Sequence, residues 1–185
     1  MEFGHIGFTE EQIDMLGVAE NFCREKSPID KVRALMTDEA GYDKDVWAEM
    51  CALGWLAIAI PEEFDGVGLS LTEVVPVAEQ LGRYMLNSPF VSATLAAQAV
   101  IAGGTQEQMS EVLPKIAAGA GATLALSEKN GAWDMSQIDA TAAPSGEGYV
   151  LSGTKVFVMD LDAAEWVIAS VMACSLAMAA PVSAK

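Results

Sequence analysis

The feature that most constrains this chain is a change of periodicity near Gly119-Ala120-Gly121. Before it, apolar residues recur at the three- and four-residue spacing of helices, punctuated by Ser and Thr caps. After it, short apolar stretches alternate with Gly- and Ser-containing turns, the rhythm of strands. Neither a helical bundle nor a single sheet accommodates both halves. The expectation is therefore an α+β chain. An all-α helical domain covers 1–120, and an incomplete, antiparallel β-barrel-like domain covers 121–185.

The helical part can be read cap by cap. Thr9-Glu10-Glu11-Gln12 is a capping box, in which the threonine hydroxyl takes an orphan N–H and Gln12 reaches back. It opens a helix predicted over about 10–26, ended by Ser27-Pro28. A short helix is expected around 29–37. Another follows at about 43–53, with Val46, Trp47, Met50 and Leu53 on one face and Gly54 as its stop. Leu56 to Ile60 is an apolar run ahead of a Pro- and Gly-rich loop, and reads as a buried extended segment. Ser70-Leu71-Thr72-Glu73 is a second capping box, opening a helix to about 85, with Pro76 expected near its tolerated first turn. The stretch 89–102 is nearly all apolar or small, the pattern of a helix buried on every side. Thr105-Gln106-Glu107-Gln108 caps a last helix running to about 119.

Strands are expected at Thr123–Leu126, Ile138–Ala142, Tyr149–Leu151 and Lys155–Val158, with turns at Ser145–Gly148 and Ser152-Gly153. From Trp166 to Ala184 no residue is charged. A membrane anchor needs about 20 strongly apolar residues. The serines, Pro181 and many alanines of this tail instead favour two further buried strands, about 165–171 and 175–180.

Composition narrows the chemistry. Ten basic against 26 acidic residues give a net charge of −16. That excludes a phosphate-tracking nucleic-acid binder and makes an anionic membrane a poor partner. A hydrophobic fraction of 52% supplies a core and excludes an acidic disordered tail. The sole histidine, His5, cannot build a Ser-His-Asp triad or a multi-histidine metal site. Cys23, Cys51 and Cys174 form no CxxC pair and read as reduced, buried thiols. The N-terminal MEFGHIGFTEEQ lacks a basic segment followed by an apolar one, so the expectation is a cytoplasmic protein.

The segment 121–160 carries the candidate chemistry. A strand delivers Ser127-Glu128 into a turn, Lys129-Asn130-Gly131-Ala132, followed by Trp133-Asp134. A hydroxyl and backbone N–H groups at such a turn can bind an anionic or carbonyl group, though ordinary turns share the composition. Phe157 can stack on a flat ring or simply pack. Glu62 and Glu63 read as a solvated loop pair, not as a catalytic base.

These pieces, in this order, resemble the acyl-CoA dehydrogenase flavoprotein family. Phe8-Thr9-Glu10-Glu11-Gln12 matches the family's FTEEQ opening. Trp47 and then Leu53-Gly54-Trp55-Leu56-Ala57-Ile58-Ala59-Ile60-Pro61-Glu62-Glu63-Phe64-Asp65-Gly66-Val67-Gly68-Leu69-Ser70 are similar to W…LGWLGLAIPEEYGGxGLS. Glu107-Gln108 through Leu113-Pro114-Lys115-Ile116-Ala117-Ala118-Gly119 resembles EQ…LP.LA.G. The motif A-x-T/S-E-P-x-A-G-S-D falls on Ala125 to Asp134, and L-N-G-x-K-x-W-I-T-N on Leu151 to Asp160.

The resemblance implies FAD-dependent α,β-desaturation of an acyl-CoA thioester, an oxidoreductase step of lipid metabolism and fatty acid β-oxidation. A glutamate takes the α-proton, and FAD accepts the β-hydride. It further implies that Leu126 and Ser127 meet the flavin pyrimidine edge. Ala132 and Trp133 would sit by the FAD pyrophosphate and acyl-CoA, and Phe157, Val158 and Met159 beside the isoalloxazine. The helix 89–102, with Phe90, Val91, Thr94 and Leu95, resembles the wall of the acyl pocket, where plain core packing is the other reading. The implied partners are the acyl-CoA substrate, an electron-transfer flavoprotein or similar acceptor, and further subunits in a homo- or hetero-oligomer.

Departures are specific. Lys129 stands for a proline, Ala132 for a glycine, Trp133 for a serine, Phe157 for a tryptophan, Met159 for a threonine and Asp65 for a glycine. They admit a second expectation, a non-catalytic partner subunit of a heteromeric acyl-CoA dehydrogenase that has lost FAD binding. No residue matches the family's C-terminal helical domain, which carries the catalytic glutamate in most members. No catalytic residue is therefore assigned, and the chain alone is expected to be inactive.

Overall fold

Helix α1 (Glu10–Lys26) begins where its capping box places it. Gln12 N–H donates to Thr9 Oγ1 at 3.2 Å, and Thr9 N–H donates to Gln12 Oε1 at 3.0 Å. Gln12 then uses its remaining amide hydrogens on Glu73 Oε1 at 3.1 Å. Glu73 belongs to the second capping box, where its Oε2 accepts from Ser70 N–H at 2.9 Å and from Ser70 Oγ–H at 2.7 Å. That box opens α4 (Leu71–Arg83), which packs against α1. The Ser70 hydroxyl and amide, with help from Gln12 and Thr72, hold the Glu73 carboxyl at about 2. One cap therefore braces the other, and the first turns of both helices are fixed by the same carboxylate.

The computed structural model describes residues 7–132, 134–146, 148–172 and 178–179. Between α1 and α4 lie α2 (Ile29–Leu35) and α3 (Lys44–Ala52), the latter capped by Asp43, whose carboxylate accepts from Asp45 and Val46 N–H. Then come α5 (Phe90–Gly103) and α6 (Gln106–Ala117), the latter capped by Thr105. Strands follow as β1 (Ala122–Ala125), β2 (Thr141–Ser145), β3 (Gly148–Ser152), β4 (Trp166–Ala169) and β5 (Met178–Ala179). The α+β class holds. Among the described residues the strands form a three-stranded sheet in the order β1-β4-β5 and a separate β2-β3 hairpin, without closing a barrel. One pairing departs from the antiparallel expectation: β1 and β4 run parallel, Ala122 opposite Trp166 and Ala125 opposite Ala169.

The chain divides into two compact units, Met1–Val91 with Ala117–Gly119, and Ser92–Ile116 with Ala120–Lys185. Compactness groups most of α5 and all but the end of α6 with the strands, whereas the periodicity changes at about 120. In the first unit Leu16, Cys23, Met50, Phe64 and Val77 are buried. Burial also pushes the Cys23 thiol up to about 11, so it is an inert apolar filler. In the second unit Ala93, Ala97, Val100, Leu113 and Ile116 are buried among the helices, and Ala125 and Ile168 within the sheet.

Four expectations are corrected. Leu56–Ile60 is not extended: Gly54, at φ 75°, turns the chain into a 3₁₀ turn over Trp55–Ala57. The loop behind it folds back, with Val67, Leu69 and Gly68 N–H donating to the carbonyls of Ala57, Ile58 and Ile60. An apolar run signals burial, and burial alone does not choose between strand and turn. Helix α5 is not buried all round, since Val91 and Leu95 are 44% and 47% exposed. The segments 138–140 and 155–158 form no ladder, because Glu128 and Lys155 recruit them as described below. Pro76 lies well past the cap Ser70, inside α4, and the helix continues through it. Of the strand expected at 175–180, Met178–Ala179 is formed, and the rest lies outside the described residues. No helix among the described residues is long and apolar enough to cross a membrane.

Two glycines test the packing from opposite sides. A Cβ on Gly66 would stand 1.9 Å from the Ile60 carbonyl oxygen, whereas one on Gly17, mid-way along α1, meets nothing within 4 Å. Gly66→Ala is expected to cost about 3 kcal/mol by overpacking against backbone. Gly17→Ala is expected to add up to about 1 kcal/mol by stiffening the unfolded chain and the helix. Urea unfolding of the two variants checks both signs.

Candidate functional site

The site is built at the end of β1. Ala122, Thr123 and Ala125 are buried, and the strand then leaves the sheet, exposing Leu126 and Ser127. Glu128 turns back inward, only 7% exposed. A buried carboxylate is costly unless its lone pairs are met. Here Oε2 accepts from Asp139 N–H at 2.7 Å, and Oε1 accepts from Ala140 N–H at 3.0 Å and from Lys155 Nζ at 2.8 Å. Lys155, foremost, and the two amides hold the Glu128 carboxyl down at about 2. The same ammonium donates to Leu126 O at 3.2 Å and to Ser170 Oγ at 2.9 Å, and Ser170 Oγ–H reaches Leu126 O at 3.4 Å. Val156 N–H donates to Ser127 O at 2.9 Å.

The chain next forms a tight turn. Gly131, at φ 67°, donates to Glu128 O, Ala132 N–H donates to Asn130 Oδ1, and Asn130 Nδ2 reaches Gln137 O. Asp134 caps the following 3₁₀ turn by accepting from Ser136 N–H at 2.9 Å, which lowers its pKa. Leu126, Ser127, Asn130, Ala132, Asp134 and Ile138 thereby line a pocket of about 100 Å³, with Glu128 in its wall. Among the described residues the Ser127 hydroxyl has no hydrogen-bond partner, so the pocket keeps a free donor-acceptor at its edge.

Three of the sequence-predicted cofactor residues, Leu126, Ser127 and Ala132, come together in this pocket. Phe157 is tied to the same strand end through its neighbour Val156, but in irregular backbone and not a strand. Its φ is 55° and its ring is 92% exposed. A bulky residue in left-handed backbone carries strain of order 1–3 kcal/mol, tolerated where neighbours fix the chain. Lys155 does so on one side. On the other, Thr123 Oγ–H holds Met159 O at 2.6 Å, and Ser92 Oγ–H holds Asp160 Oδ2 at 2.5 Å. Val158 is half-buried and the Met159 side chain is 59% exposed. Trp133 lies outside the described residues.

On α5 the predicted substrate residues separate. Val91 and Leu95 are exposed and Thr94 is half-exposed, forming one apolar stripe, while Phe90 is fully buried behind it. Glu62 and Glu63 are both exposed, in the 3₁₀ turn Glu62–Phe64 of the first unit. The residues that sequence reasoning missed are Lys155, Ser170 and the role of Glu128. Lys155 and Glu128 both stand in the quoted motifs, yet nothing local in the sequence pairs them.

Comparison with known proteins gives a consistent answer. The signature of the acyl-CoA dehydrogenase N-terminal domain matches residues 9–120. The chain is 39% identical over 82 residues to acyl-CoA dehydrogenase IpdE2 of Mycolicibacterium smegmatis, an alignment covering 44% of this chain and 26% of that protein. Among solved structures, a variant of the Tcur3481-Tcur3483 steroid ACAD superposes with a TM-score of 0.78 at 31% identity. That match covers 88% of this chain and 45% of the other. The ChsE4-ChsE5 complex from Mycobacterium tuberculosis gives 0.76 at 25% identity, covering 87% and 43%. The chain thus spans less than half the length of the relatives it matches.

The Glu128 site has a pH signature. Its pKa is depressed from 4.5 to about 2, so its contribution is complete above 4.5 and is lost as pH falls through 2. Glu73 titrates in the same window. Glu128→Gln is expected to lower stability at neutral pH and to flatten the acid limb between pH 4.5 and 2, relative to wild type. Denaturant unfolding at a series of pH values measures this. An unchanged acid limb would show that Glu128 is not depressed.

Proposed function

The chain belongs to the acyl-CoA dehydrogenase family, and from that premise we propose that it provides the flavin edge and an acyl-facing helix surface of an FAD-dependent acyl-CoA dehydrogenase. The observation that carries this reading is the end of β1. There one hydrogen-bond network fixes the backbone beside a small pocket, a Ser127 hydroxyl without a partner among the described residues and the exposed Phe157 ring. These residues fit the group: a flavin needs a donor-acceptor edge and a planar face, and Ser127 and Phe157 offer them. When bound, FAD supplies the hydride acceptor for α,β-desaturation of an acyl-CoA thioester.

The chain's own residues bind and orient. Leu126 and Ser127 meet the pyrimidine edge, Ala132 and, by the family motif alone, Trp133 lie by the pyrophosphate, and Phe157, Val158 and Met159 lie along the ring. Val91, Thr94 and Leu95 give α5 an apolar stripe for an acyl chain, and Phe90 backs that stripe from the core. The two carboxylates lining the pocket are committed, Glu128 to Lys155 and two amides, Asp134 to a cap. The α-proton is therefore taken by a carboxylate beyond this pocket. An electron-transfer flavoprotein or similar protein receives the electrons, the working assembly is oligomeric, and the place of action is the cytoplasm.

A second reading has its own observation. Met159 replaces a threonine of the family motif. It offers no hydroxyl, and its carbonyl is occupied by Thr123. With two solved relatives described by paired names, this supports a non-catalytic partner subunit that has lost FAD.

Titration of FAD with the purified chain separates the two. Saturable binding with a shifted flavin absorbance band is expected, and Phe157→Ala should weaken it about tenfold by removing the stacking face. A colourless chain that takes up no FAD overturns the first reading and favours the second.

A further inference from the structure

Resting on the flavin-edge reading, we propose that Lys155 is a positioning residue whose charge polarises the Leu126–Ser127 peptide, making the Ser127 N–H a strengthened donor that favours the reduced, electron-rich cofactor. Lys155 Nζ and Ser170 Oγ both donate to the Leu126 carbonyl oxygen. No described peptide is cis, so the N–H of the same peptide unit points opposite to that carbonyl, away from Lys155. Among the described residues nothing accepts from it. Ser127 O, in the following peptide unit, is held by Val156 N–H, so the chain is also fixed just beyond the polarised unit.

Pulling electron density toward the carbonyl oxygen leaves the amide hydrogen more positive, the cooperative strengthening expected in hydrogen-bond chains. The Lys155 side chain is 12% exposed, so solvent screens it poorly. With Glu128 it forms a pair of no net charge, a dipole whose positive end touches the Leu126 carbonyl. The effect is short-ranged and falls on that one peptide. Removing either partner therefore has opposite consequences. Losing the ammonium weakens the donor, and losing the carboxylate unmasks the ammonium and strengthens it. A merely structural role would move both variants the same way.

Lys155→Gln, Lys155→Arg and Glu128→Gln, made in the full chain, supply the test with two readouts. One is the Ser127 amide proton resonance without ligand; the other is the midpoint potential of the FAD complex. Lys155→Gln is expected to shift the Ser127 amide upfield. It should also cut the preference for reduced over oxidised flavin about tenfold, about 30 mV lower for a two-electron couple. Lys155→Arg is expected to stay near wild type, and Glu128→Gln to move both readouts the opposite way. Shifts of one sign in Lys155→Gln and Glu128→Gln, or none in Lys155→Gln, overturn the proposal. If Lys155→Gln does not fold, the sign in Glu128→Gln against Lys155→Arg decides. Absence of FAD binding by the wild-type chain overturns the flavin reading itself, a result distinguishable from unchanged potentials.

Discussion

One ammonium group joins three stretches of chain. Lys155 meets the Glu128 carboxylate, the Leu126 carbonyl and the Ser170 hydroxyl, so the end of β1, the approach to Phe157 and the exit from β4 are mutually fixed. A buried ion pair repays its desolvation only when the remaining hydrogen-bonding capacity is met. Asp139 and Ala140 N–H meet that of Glu128. The cost is paid in secondary structure, since Asp139 and Ala140 turn their amides to the carboxylate and 155–158 follow the lysine without joining a ladder. The result is a strand end that presents Leu126 and Ser127 at one defined place.

The legible parts of the fold were those written in local chemistry. Thr9 with Gln12, Ser70 with Glu73 and Thr105 with Gln108 each signal a helix start within four residues, and each forms as read. The run Leu56–Ile60 was legible as buried but not as a turn, because that depends on carbonyls captured by the loop at Val67–Leu69. The pairing of Glu128 with Lys155 was not legible, since its partners are far apart in sequence and neither position has periodicity. Leu126, Ser127 and Ala132 were singled out through motif order, and the structure sets them around one pocket. Phe157 was read onto a strand, and its left-handed backbone became visible only once its neighbours were in place.

The departures from the family motifs divide by physical consequence. Asp65 stands where the family has glycine, at φ 62°, and Asp160 stands where it has asparagine, at φ 51°. Aspartate enters the left-handed region more readily than most residues, so both changes keep the backbone path. Gly66 could not have changed the same way, with the Ile60 carbonyl against it. Met159 is different, for it alters the chemistry offered and not the path of the chain. The net charge of −16 adds a global constraint: a phosphate-bearing ligand has to be met by local backbone donors and a few cations, against the field of the whole chain.

The central claim is that the β1 edge fixed by Lys155 is where the cofactor binds. Amide chemical shifts of the isotopically labelled chain, recorded as FAD is added, test it most directly. The largest changes are expected at Leu126, Ser127, Ala132 and Phe157, with the amides of α1 and α4 unmoved. Saturating changes confined to other regions, with Ser127 unmoved, would contradict it.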